Sequence, residues 1–441
     1  MAQKNENDLM DKVISLCKRR GFVFPGSEIY GGLANSWDYG PLGTALKNNV
    51  KTEWWRRFVE TRPDMVGLDA ALIMNPKVWE ASGHLKEFSD PLVECTKCHE
   101  RFRADQIDLS DEGKCPNCKG NLMPPKQFNL MLKTYLGPAQ EQANEVFFRP
   151  ETAQAIFVQF KNVLDTSRKR LPFGIAQMGK AFRNEITPGN FIFRMREFEQ
   201  MEIEYFIKKD EWEKWFDYWL TEIKKWVKDL GVADDHVHYV EIPDGERAHY
   251  SKRTVDVEYE YPFGQKELYG LAYRGDFDMR NHFKEAPYVD PETQEKLYPY
   301  VIEPSMGVDR SILVALLEAY TEDTANERTY LKLPYWLAPY KVAVFPLLAN
   351  KPQLVEKARG IYENLLKQFP TAWDDRGNVG KRYYAQDEIG TPFCITVDFD
   401  TLGEKGDELK DTVTVRNRDT MTQERIKIGE LVTYLNSKLT S

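Results

Sequence analysis

Two stretches decide the fold of this 441-residue chain: Gly179-Lys-Ala-Phe-Arg-Asn-Glu185 and Phe193-Arg-Met-Arg-Glu-Phe-Glu-Gln-Met-Glu202. Both are strand-like, and the Pro188-Gly189-Asn190 loop between them predicts an antiparallel hairpin. Because alternate strand residues share a face, one face is predicted to carry Arg194, Arg196, Phe198, Gln200 and Glu202, and the other Met195, Met201 and Ile203. The first face changes from cationic to aromatic to acidic, which suits a ligand with a phosphate, a planar base and an amine. A solvated sheet face is the alternative.

Composition and charge restrict the class of protein. The chain is 42% hydrophobic and 29% charged, with no apolar run near the ~18 residues of a membrane span, so no membrane partner is expected. The N-terminus lacks the basic start and apolar core of a signal peptide, which predicts a cytoplasmic location, with an organelle interior as the alternative if the chain is processed. The net charge of -9 argues against broad nucleic-acid binding, so any RNA contact should be local.

Sequence patterns divide the chain into two main units. The helix after Asp210 carries Trp212, Trp215, Trp219 and Trp226 at three-and-four spacing, which predicts core packing. A helix from Val308 to Tyr320 ends the first unit, and the polar stretch from Thr321 to Arg328 is predicted to be a linker. Strands and helices then alternate, which is typical of an α/β domain. The predicted units are therefore residues 1–335 and 336–441.

Four of the six cysteines form a pattern of their own. Cys95-x2-Cys98 and Cys115-x2-Cys118, with sixteen residues between the pairs, have the spacing of a zinc ribbon, predicted at 94–120. Four thiolates close a tetrahedral site, so we expect structural Zn²⁺; unligated or redox thiols are the alternative. His99 is a weaker candidate ligand, and Cys17 and Cys394 are interpreted as small apolar residues.

Three motifs resemble those of class II aminoacyl-tRNA synthetases. Arg183-Asn184-Glu185 with Arg196-Glu197-Phe198 resembles motif 2, and Glu303-Pro-Ser-Met-Gly-Val-Asp-Arg310 resembles motif 3. Trp79-Glu-Ala-Ser-Gly-His84 resembles the motif 1 region, which builds the dimer interface in this class, although Ala71 replaces the usual proline. The resemblance implies an α+β fold: an antiparallel-sheet catalytic domain (1–335) with the zinc-ribbon insertion, a C-terminal α/β anticodon-binding domain (336–441), and a homodimer.

Within the class, the sequence most resembles glycyl-tRNA synthetases of the homodimeric type. The stretches 21–27, 37–43, 149–154 and 186–190 carry this likeness. It implies an AMP-forming ligase that activates glycine with ATP to glycyl-adenylate and transfers glycine to the 3′ end of tRNA(Gly). A non-catalytic nucleic-acid-binding paralogue and a synthetase for serine, threonine or proline are the alternatives. The intact Arg183, Phe198 and Arg310 argue against the first, and Glu303-Pro304-Ser305 against the second.

The resemblance also implies the ATP site. Arg183 is expected to hold the α-phosphate, while Phe198 and Arg310 enclose the adenine; Arg183 and Arg310 are the candidate catalytic residues. Glu185 would face the adenine amino group, and Glu267 suits Mg²⁺. The full set of expected ATP contacts is Arg183, Asn184, Glu185, Phe193, Arg194, Met195, Arg196, Glu197, Phe198, Glu267, Leu268, Gly307, Val308, Asp309 and Arg310.

The glycine site is the third expectation from the resemblance. Its predicted residues are Arg103, Glu151, Phe198, Glu199, Gln200, Met201, Glu202, Arg274, Glu303, Pro304, Ser305, Met306 and Gly307. Glu151, Glu202 and Glu303 would hold the ammonium group, with Arg274 and Arg103 balancing their charge. In the C-terminal unit, Lys381, Arg382, Arg416 and Arg418 are candidate RNA contacts, and a solvated surface is the alternative for each.

Overall fold

The structure is a computed structural model that describes residues 2–107, 113–404 and 406–439. Residues 108–112 of the predicted zinc ribbon therefore lie outside the described residues. The α-helices of the described chain are α1 Ala2–Arg20, α2 Pro41–Trp55, α3 Pro76–Ala81, α4 His84–Glu87, α5 Ala153–Ser167, α6 Trp212–Asp229, α7 Phe277–His282, α8 Val308–Ala319, α9 Pro352–Leu365, α10 Val379–Glu388 and α11 Leu431–Leu439. In the part of the chain that is described, none of these helices has the length and apolar character needed to cross a bilayer.

The strands fall into one large sheet, a second sheet near the C-terminus and several small ones. Up to the large sheet's hairpin they are β1 Val23–Pro25, β2 Trp37–Tyr39, β3 Met65–Gly67, β4 Ile73–Met74, β5 Ser89–Glu94, β6 Arg101–Arg103, β7 Lys126–Asn129, β8 Lys133–Tyr135, β9 Glu145–Phe148, β10 Phe173–Phe182 and β11 Glu197–Ile207. After the hairpin they are β12 Val237–Glu241, β13 Arg253–Tyr261, β14 Gly264–Gly275, β15 Tyr288–Val289, β16 Lys296–Leu297, β17 Tyr300–Gly307, β18 Tyr320–Asp323, β19 Arg328–Leu331, β20 Val342–Pro346, β21 Thr371–Trp373, β22 Phe393–Val397, β23 Thr412–Asn417 and β24 Gln423–Lys427.

The predicted hairpin lies toward one edge of the large sheet, where only β3 is outside it. Its strand order is β12-β13-β14-β17-β11-β10-β3, and every neighbouring pair is antiparallel except β10 with β3. The antiparallel pairing of β10 with β11 confirms the hairpin. The second strand begins at Glu197 and not at Phe193, because Phe191–Phe193 form a 3₁₀ turn whose apolar side chains are buried. Arg194 and Arg196 therefore precede the strand, and the shared face begins at Phe198.

Two apolar cores lie on opposite faces of β11. Met201, Ile203 and Tyr205 belong to the main core, which contains residues of α2, α6 and α8. Trp219 and Trp226 of α6 are buried in it, which confirms the packing interpretation. On the other face, Phe206 packs in a smaller core with residues of α5. The polar residues Gln200 and Glu202 lie on that second face, nearer the hairpin turn, where they border a cavity.

The C-terminal unit has the predicted alternation of strands and helices. Its sheet has the order β21-β20-β22-β23-β24, with β20 parallel to both β21 and β22 and the remaining pairs antiparallel. Helices α9 and α11 contribute to its own apolar core. The predicted boundary at 336 falls in a segment shared by both cores, because Leu337 packs in the main core and Tyr335 against the C-terminal one.

The linker prediction for Thr321 to Arg328 is wrong. These residues form the hairpin β18–β19, with Tyr320 opposite Leu331 and Asp323 opposite Arg328. Arg328 is buried and its Nη1 donates to Asp387 of α10 at 2.8 Å. A buried carboxylate partner far along the chain explains why a polar stretch is ordered.

The prediction of RNA contacts is also wrong for three of the four candidate residues. Arg382, Arg416 and Arg418 are only 1%, 3% and 1% exposed, and only Lys381 of the four is exposed. Arg416 donates to both oxygens of Asp387, and Arg418 donates to the carbonyls of Gly390 and Leu333. Their guanidinium groups therefore stabilise the fold.

Candidate active site

A cavity of about 340 Å³ lies on the open face of the large sheet, beside β11, β14, β17 and the start of α8. This volume is within the range of pockets that bind compact ligands. Its lining includes most of the predicted ATP and glycine residues: Glu151, Arg183, Glu185, Phe193, Arg194, Met195, Phe198, Glu199, Gln200, Glu202, Glu267, Leu268, Glu303, Ser305, Gly307, Asp309 and Arg310. The hairpin, β17 and α8 thus bring residues more than a hundred positions apart in sequence to one site.

Other predicted residues lie outside the cavity lining. Met201, Met306 and Val308 are buried in the main core, where Trp54 Nε1 lies 3.2 Å from Met306 Sδ. Pro304 is buried within β17, opposite Leu271 of β14. Only the backbone of these four residues can face a ligand on the cavity side.

The remaining five predicted residues outside the lining are polar, and one of them, Arg274, is buried, where it pairs with Glu303 and Asp278. Arg196 Nη2 donates to the Glu185 carbonyl at 3.1 Å, and the Asn184 backbone N–H donates to the Leu130 carbonyl. Glu197 is exposed and paired with Lys180 at 2.7 Å. Arg103 lies on β6, paired with Asp90 and with Asp105, both at 2.7 Å. Arg103, Asn184, Arg196 and Glu197 lie in or beside the hairpin or the cysteine insertion.

Three buried carboxylates form the acidic end of the cavity, and each is held by a different element. Glu202 Oε1 accepts from Ser305 Oγ of β17 at 2.8 Å, and Glu202 Oε2 accepts from the Thr152 backbone N–H at 3.1 Å. Glu303 Oε1 accepts from Arg274 Nη1 of β14 at 2.8 Å. Glu151 Oε2 lies 3.2 Å from His84 Nε2. Side chains or backbone groups from other elements therefore hold all three carboxylates in place at this end of the cavity.

The crowding of these acids changes their pKa values in different directions. Burial, opposed by Arg274 and reinforced by Glu202 and Glu151, raises the pKa of Glu303 to about 8. Burial and the charge of Glu151 also raise the pKa of Glu202. Burial acts to raise the pKa of Glu151 as well, but the neighbouring His84 lowers it below the ordinary value. Glu303 is thus largely protonated at neutral pH, and a bound cation would favour its ionised form.

The sequence interpretation gave His84 a structural place in the motif 1 region but no partner, and the structure places it in this network. His84 is buried, its Nδ1 lies 2.7 Å from Ser82 Oγ, and its Nε2 faces Glu151. On the other side of Glu151, Gln154 Nε2 donates to Glu151 Oε1 at 3.1 Å, and Gln154 Oε1 lies 2.8 Å from His282 Nε2. The Ser-Gly-His sequence in the motif 1 region was the available signal, but its partner is 67 positions away.

Arginine and aromatic side chains form the other end of the cavity. Arg183 Nε donates to the Pro150 carbonyl at 3.1 Å, and its guanidinium carbon lies 5.3 Å from the centre of the Phe198 ring. Arg310 lies 4.5 Å from the centre of the Phe193 ring and pairs with Glu267 at 3.2 Å. These contacts hold two guanidinium groups at the cavity wall, where they favour an anionic and aromatic ligand.

Two predicted ligand residues direct their carboxylates away from the acidic end. Glu199 pairs with Lys47 of α2 at 2.6 Å and also with Lys51. Asp309 accepts from Tyr39 Oη at 2.6 Å and from Lys47 at 3.2 Å. Asp309 Oδ2 also accepts the Glu199 backbone N–H at 2.8 Å. These carboxylates therefore fix the hairpin and the start of α8 to α2.

Asp256 is a residue that the sequence interpretation missed. It lies on β13 and lines the cavity beside Glu267 of β14. Burial, with the charges of Glu267 and Glu258, raises the pKa of Asp256 to about 7. The oxygens of two neighbouring carboxylates are suitable ligands for a divalent cation, which would reduce the repulsion between them.

Comparison with known proteins relates this geometry to a family. Residues 134–320 match the family model described as tRNA synthetase class II core domain (G, H, P, S and T), and residues 341–438 match the one described as anticodon binding domain. Glycine-tRNA ligases of Alkaliphilus oremlandii and Geobacillus thermodenitrificans are each 50% identical to the chain, over 98% of it and over 98% and 97% of their own lengths. The chain belongs to the glycine-tRNA ligase family. The glycine-tRNA ligase of Thermobifida fusca is 50% identical over 100% of this chain and 99% of its own. The predicted class II fold with an anticodon-binding domain is confirmed.

In this glycine-tRNA ligase family member the four paired cysteines come together at a second site. Cys95 and Cys118 Sγ atoms lie 3.4 Å apart, and those of Cys98 and Cys115 lie 3.7 Å apart. A zinc ion with bonds of about 2.3 Å to four sulfurs sets them about 3.8 Å apart, so the cluster fits Zn²⁺. His99 Nδ1 lies 3.4 Å from Glu94, outside this cluster.

The two cysteine loops of this family member also share one backbone conformation. Cys95 N donates to the Glu100 carbonyl, and Cys115 N donates to the Gly120 carbonyl five residues on, as in the first loop. The fifth residue of each loop, His99 or Lys119, has a positive φ of 58° or 57°. The loops flank the three-stranded sheet β6-β5-β7. The repetition of one turn around four sulfurs is consistent with a shared metal.

Proposed function

We propose that the protein is a glycine-tRNA ligase that activates glycine with ATP and then loads it onto tRNA(Gly). One observation carries the proposal: a single cavity has three buried carboxylates at one end and two anchored arginines with aromatic rings at the other. An amino acid has an ammonium group for the first end, and ATP has a phosphate chain and a base for the second. The family to which the chain belongs supplies the reaction.

In the first step, the glycine carboxylate attacks the α-phosphorus of ATP and pyrophosphate leaves. Arg183 is proposed to stabilise the negative charge that develops on the α-phosphate oxygens, because the Pro150 carbonyl and the Phe198 ring already hold its guanidinium in place. A preorganised cation needs little rearrangement during the reaction. Phe198 and Arg310 are proposed to enclose the adenine. Release of Arg310 from Glu267 would accompany binding of the base.

Glycine would be held by its ammonium group between Glu151, Glu202 and Glu303. Selectivity would come from the wall beside the α-carbon, because glycine has no side chain to bind. Ser305 is the proposed wall residue, and it also donates to Glu202. Attraction of one methyl group in a pocket changes the binding free energy by only about 1–3 kcal/mol. Steric exclusion of the alanine methyl group should therefore contribute more to selectivity than attraction of glycine.

In the second step, a hydroxyl of the terminal ribose of tRNA attacks the carbonyl carbon of glycyl-adenylate and AMP leaves. We propose that residues 1–335 perform both steps, with 94–120 as a zinc-binding insertion, and that residues 336–441 bind the anticodon. Arg382, Arg416 and Arg418 are excluded as RNA contacts because they are buried. Lys381, near the start of α10, remains a candidate.

Metal ions and assembly complete the proposal. Glu267 and Asp256 are proposed to hold Mg²⁺, which would offset the charge of the ATP phosphates. Cys95, Cys98, Cys115 and Cys118 are proposed to bind one structural Zn²⁺. The motif 1 region resembles the one that builds the dimer interface in class II synthetases, and we propose a homodimer located in the cytoplasm.

The test is ATP-pyrophosphate exchange with each of the twenty amino acids, followed by charging of tRNA(Gly). Exchange with glycine alone supports the proposal, and exchange with another amino acid but not with glycine refutes it. A non-catalytic paralogue would show no exchange at all. A cooperative thermal unfolding transition distinguishes that outcome from an unfolded preparation.

A further inference from the structure

Glu204 is a buried acid directly behind the acidic end of the cavity. On β11 and β17, the pairs Glu202 with Ser305 and Tyr205 with Ile302 set the register that places Glu204 beside Glu303. On the other side, Glu204 lies opposite Ile175 of β10. The side chain is 0% exposed, and it does not line the cavity. Among the described residues, neither of its carboxylate oxygens has a hydrogen-bond partner.

The surroundings of Glu204 disfavour a negative charge. Carboxylate oxygens of Glu202, Glu204 and Glu303 all lie within 4.8 Å of one another. Arg274 is the cation of this cluster, but its guanidinium already pairs with Glu303 and with both oxygens of Asp278. Like charges directly opposite each other on neighbouring strands are destabilising, and a buried carboxylate without a partner is costly.

We propose that Glu204 is a protonated positioning residue, which supports the glycine ammonium site by donating its carboxyl O–H to Glu303. Glu204 would donate this hydrogen bond from the side of Glu303 that faces away from the cavity, which leaves the cavity-facing side of Glu303 to the ligand. The proposal rests on the proposed glycine site. Glu204 would act as a neutral hydrogen-bond donor, and it would not attract the ammonium group by a negative charge.

Electrostatics agree with this geometry. Burial and the charge of Glu303 raise the pKa of Glu204 well above the ordinary value, and Glu202 and Asp278 act in the same direction while Arg274 opposes them. Protonation removes the unpaired charge and converts one oxygen into a donor. A cation bound by the three carboxylates is the competing explanation, and it requires an ionised Glu204.

The test compares Glu204→Gln with Glu204→Leu, using glycine-dependent ATP-pyrophosphate exchange. Glutamine is a neutral donor of nearly the same shape, so we expect its KM for glycine to stay within about threefold of the parent. Leucine fills the space but cannot donate, so KM should rise at least about tenfold, with a smaller change in kcat. Glu303→Gln is the matched control for loss of an ionised acid at the same place. Thermal unfolding of each variant separates weaker binding from weaker folding.

Two outcomes would overturn the assignment. Loss of activity in Glu204→Gln equal to that in Glu303→Gln would show that a charge is needed, and an unaltered KM in Glu204→Leu would show that the donor has no role. A parent protein that fails to exchange with glycine would instead reject the proposed function.

A measurement on the parent covers the case in which both variants fail to fold. Infrared spectroscopy should detect a protonated-carboxyl stretch that persists one pH unit above the pKa of Glu303. Absence of that band would contradict a proton on Glu204.

Discussion

Glycine activation should depend on pH through Glu303. Its pKa is about 8, so about one tenth of the molecules have it ionised at pH 7. A carboxylate binds ammonium only when ionised, and kcat/KM reports the protonation of the free enzyme. The value for glycine should therefore rise about tenfold per pH unit below the pKa and level off above it, with a gain of about tenfold between pH 7 and the plateau.

Glu303→Gln should remove this dependence. Glutamine does not titrate, so the slope through neutral pH should flatten, and the plateau value should fall about 10- to 100-fold because a hydrogen bond to a charged group is lost. Arg274 keeps both bonds to Asp278, which limits the cost to the fold. The assay is ATP-pyrophosphate exchange at saturating ATP and low glycine over about pH 6.5 to 8.5.

A matched variant separates this effect from titration at the ATP end. Asp256 also titrates near neutral pH, because burial and Glu267 raise its pKa to about 7. Asp256→Asn should keep the dependence of the glycine kcat/KM on pH, since it changes only the other end of the cavity. If Glu303→Gln shows the same slope as the parent, another group controls binding and the assignment of Glu303 is wrong.

Three further predictions follow from the site. Arg183→Ala should lower the exchange rate at least about a hundredfold with unchanged unfolding temperature, because it removes a transition-state contact; near-normal exchange would reject that role. Replacing Cys115 and Cys118 with serine should reduce bound zinc from about one per chain to almost none by metal analysis, and an unmodified protein without zinc would contradict the ribbon. Ser305→Gly should raise the alanine-to-glycine ratio of exchange efficiency, at most by the ~10–200-fold that one methyl is worth, and should also weaken glycine because Glu202 loses a donor. An unchanged ratio would show that Ser305 is not the wall.

The parts of the fold that sequence predicted are those set by local patterns. The hairpin follows from two strand-like stretches around Pro188-Gly189-Asn190, and the packing of α6 follows from tryptophans at helical spacing. The hairpin β18–β19 was missed because its strands are short and polar and Arg328 is paired with a distant acid. The buried state of Arg418 was missed for the same reason: its partners are carbonyl groups 28 and 85 positions away.

The sequence predicted which residues form the candidate site, but it did not predict the neighbouring residues that hold them in place. Motif residues such as Arg183, Glu202 and Glu303 line the cavity because the hairpin and β17 are neighbours in one sheet. The charge state of each acid depends on partners that no local pattern reveals, such as His84 for Glu151. Spacing predicts which residues meet on a strand, but it does not predict the burial that sets their pKa values.

The fixed positions of the three carboxylates at the acidic end should affect the rate of glycine activation as well as glycine binding. In the proposed site, glycine offers only an ammonium group and a carboxylate, so the residues that bind the ammonium group must also direct the carboxylate at the α-phosphorus. Glu151 is held by His84 of α4, and Glu303 by Arg274 of β14. Glu202 is held from two elements, by Thr152 at the start of α5 and by Ser305 of β17. Loosening any one support would let the small ligand tilt, and misplacement by about 1 Å can cost about a hundredfold in rate. Substitutions of the supporting residues should therefore lower kcat as well as raise KM for glycine, whereas loss of a contact that only binds would raise KM alone.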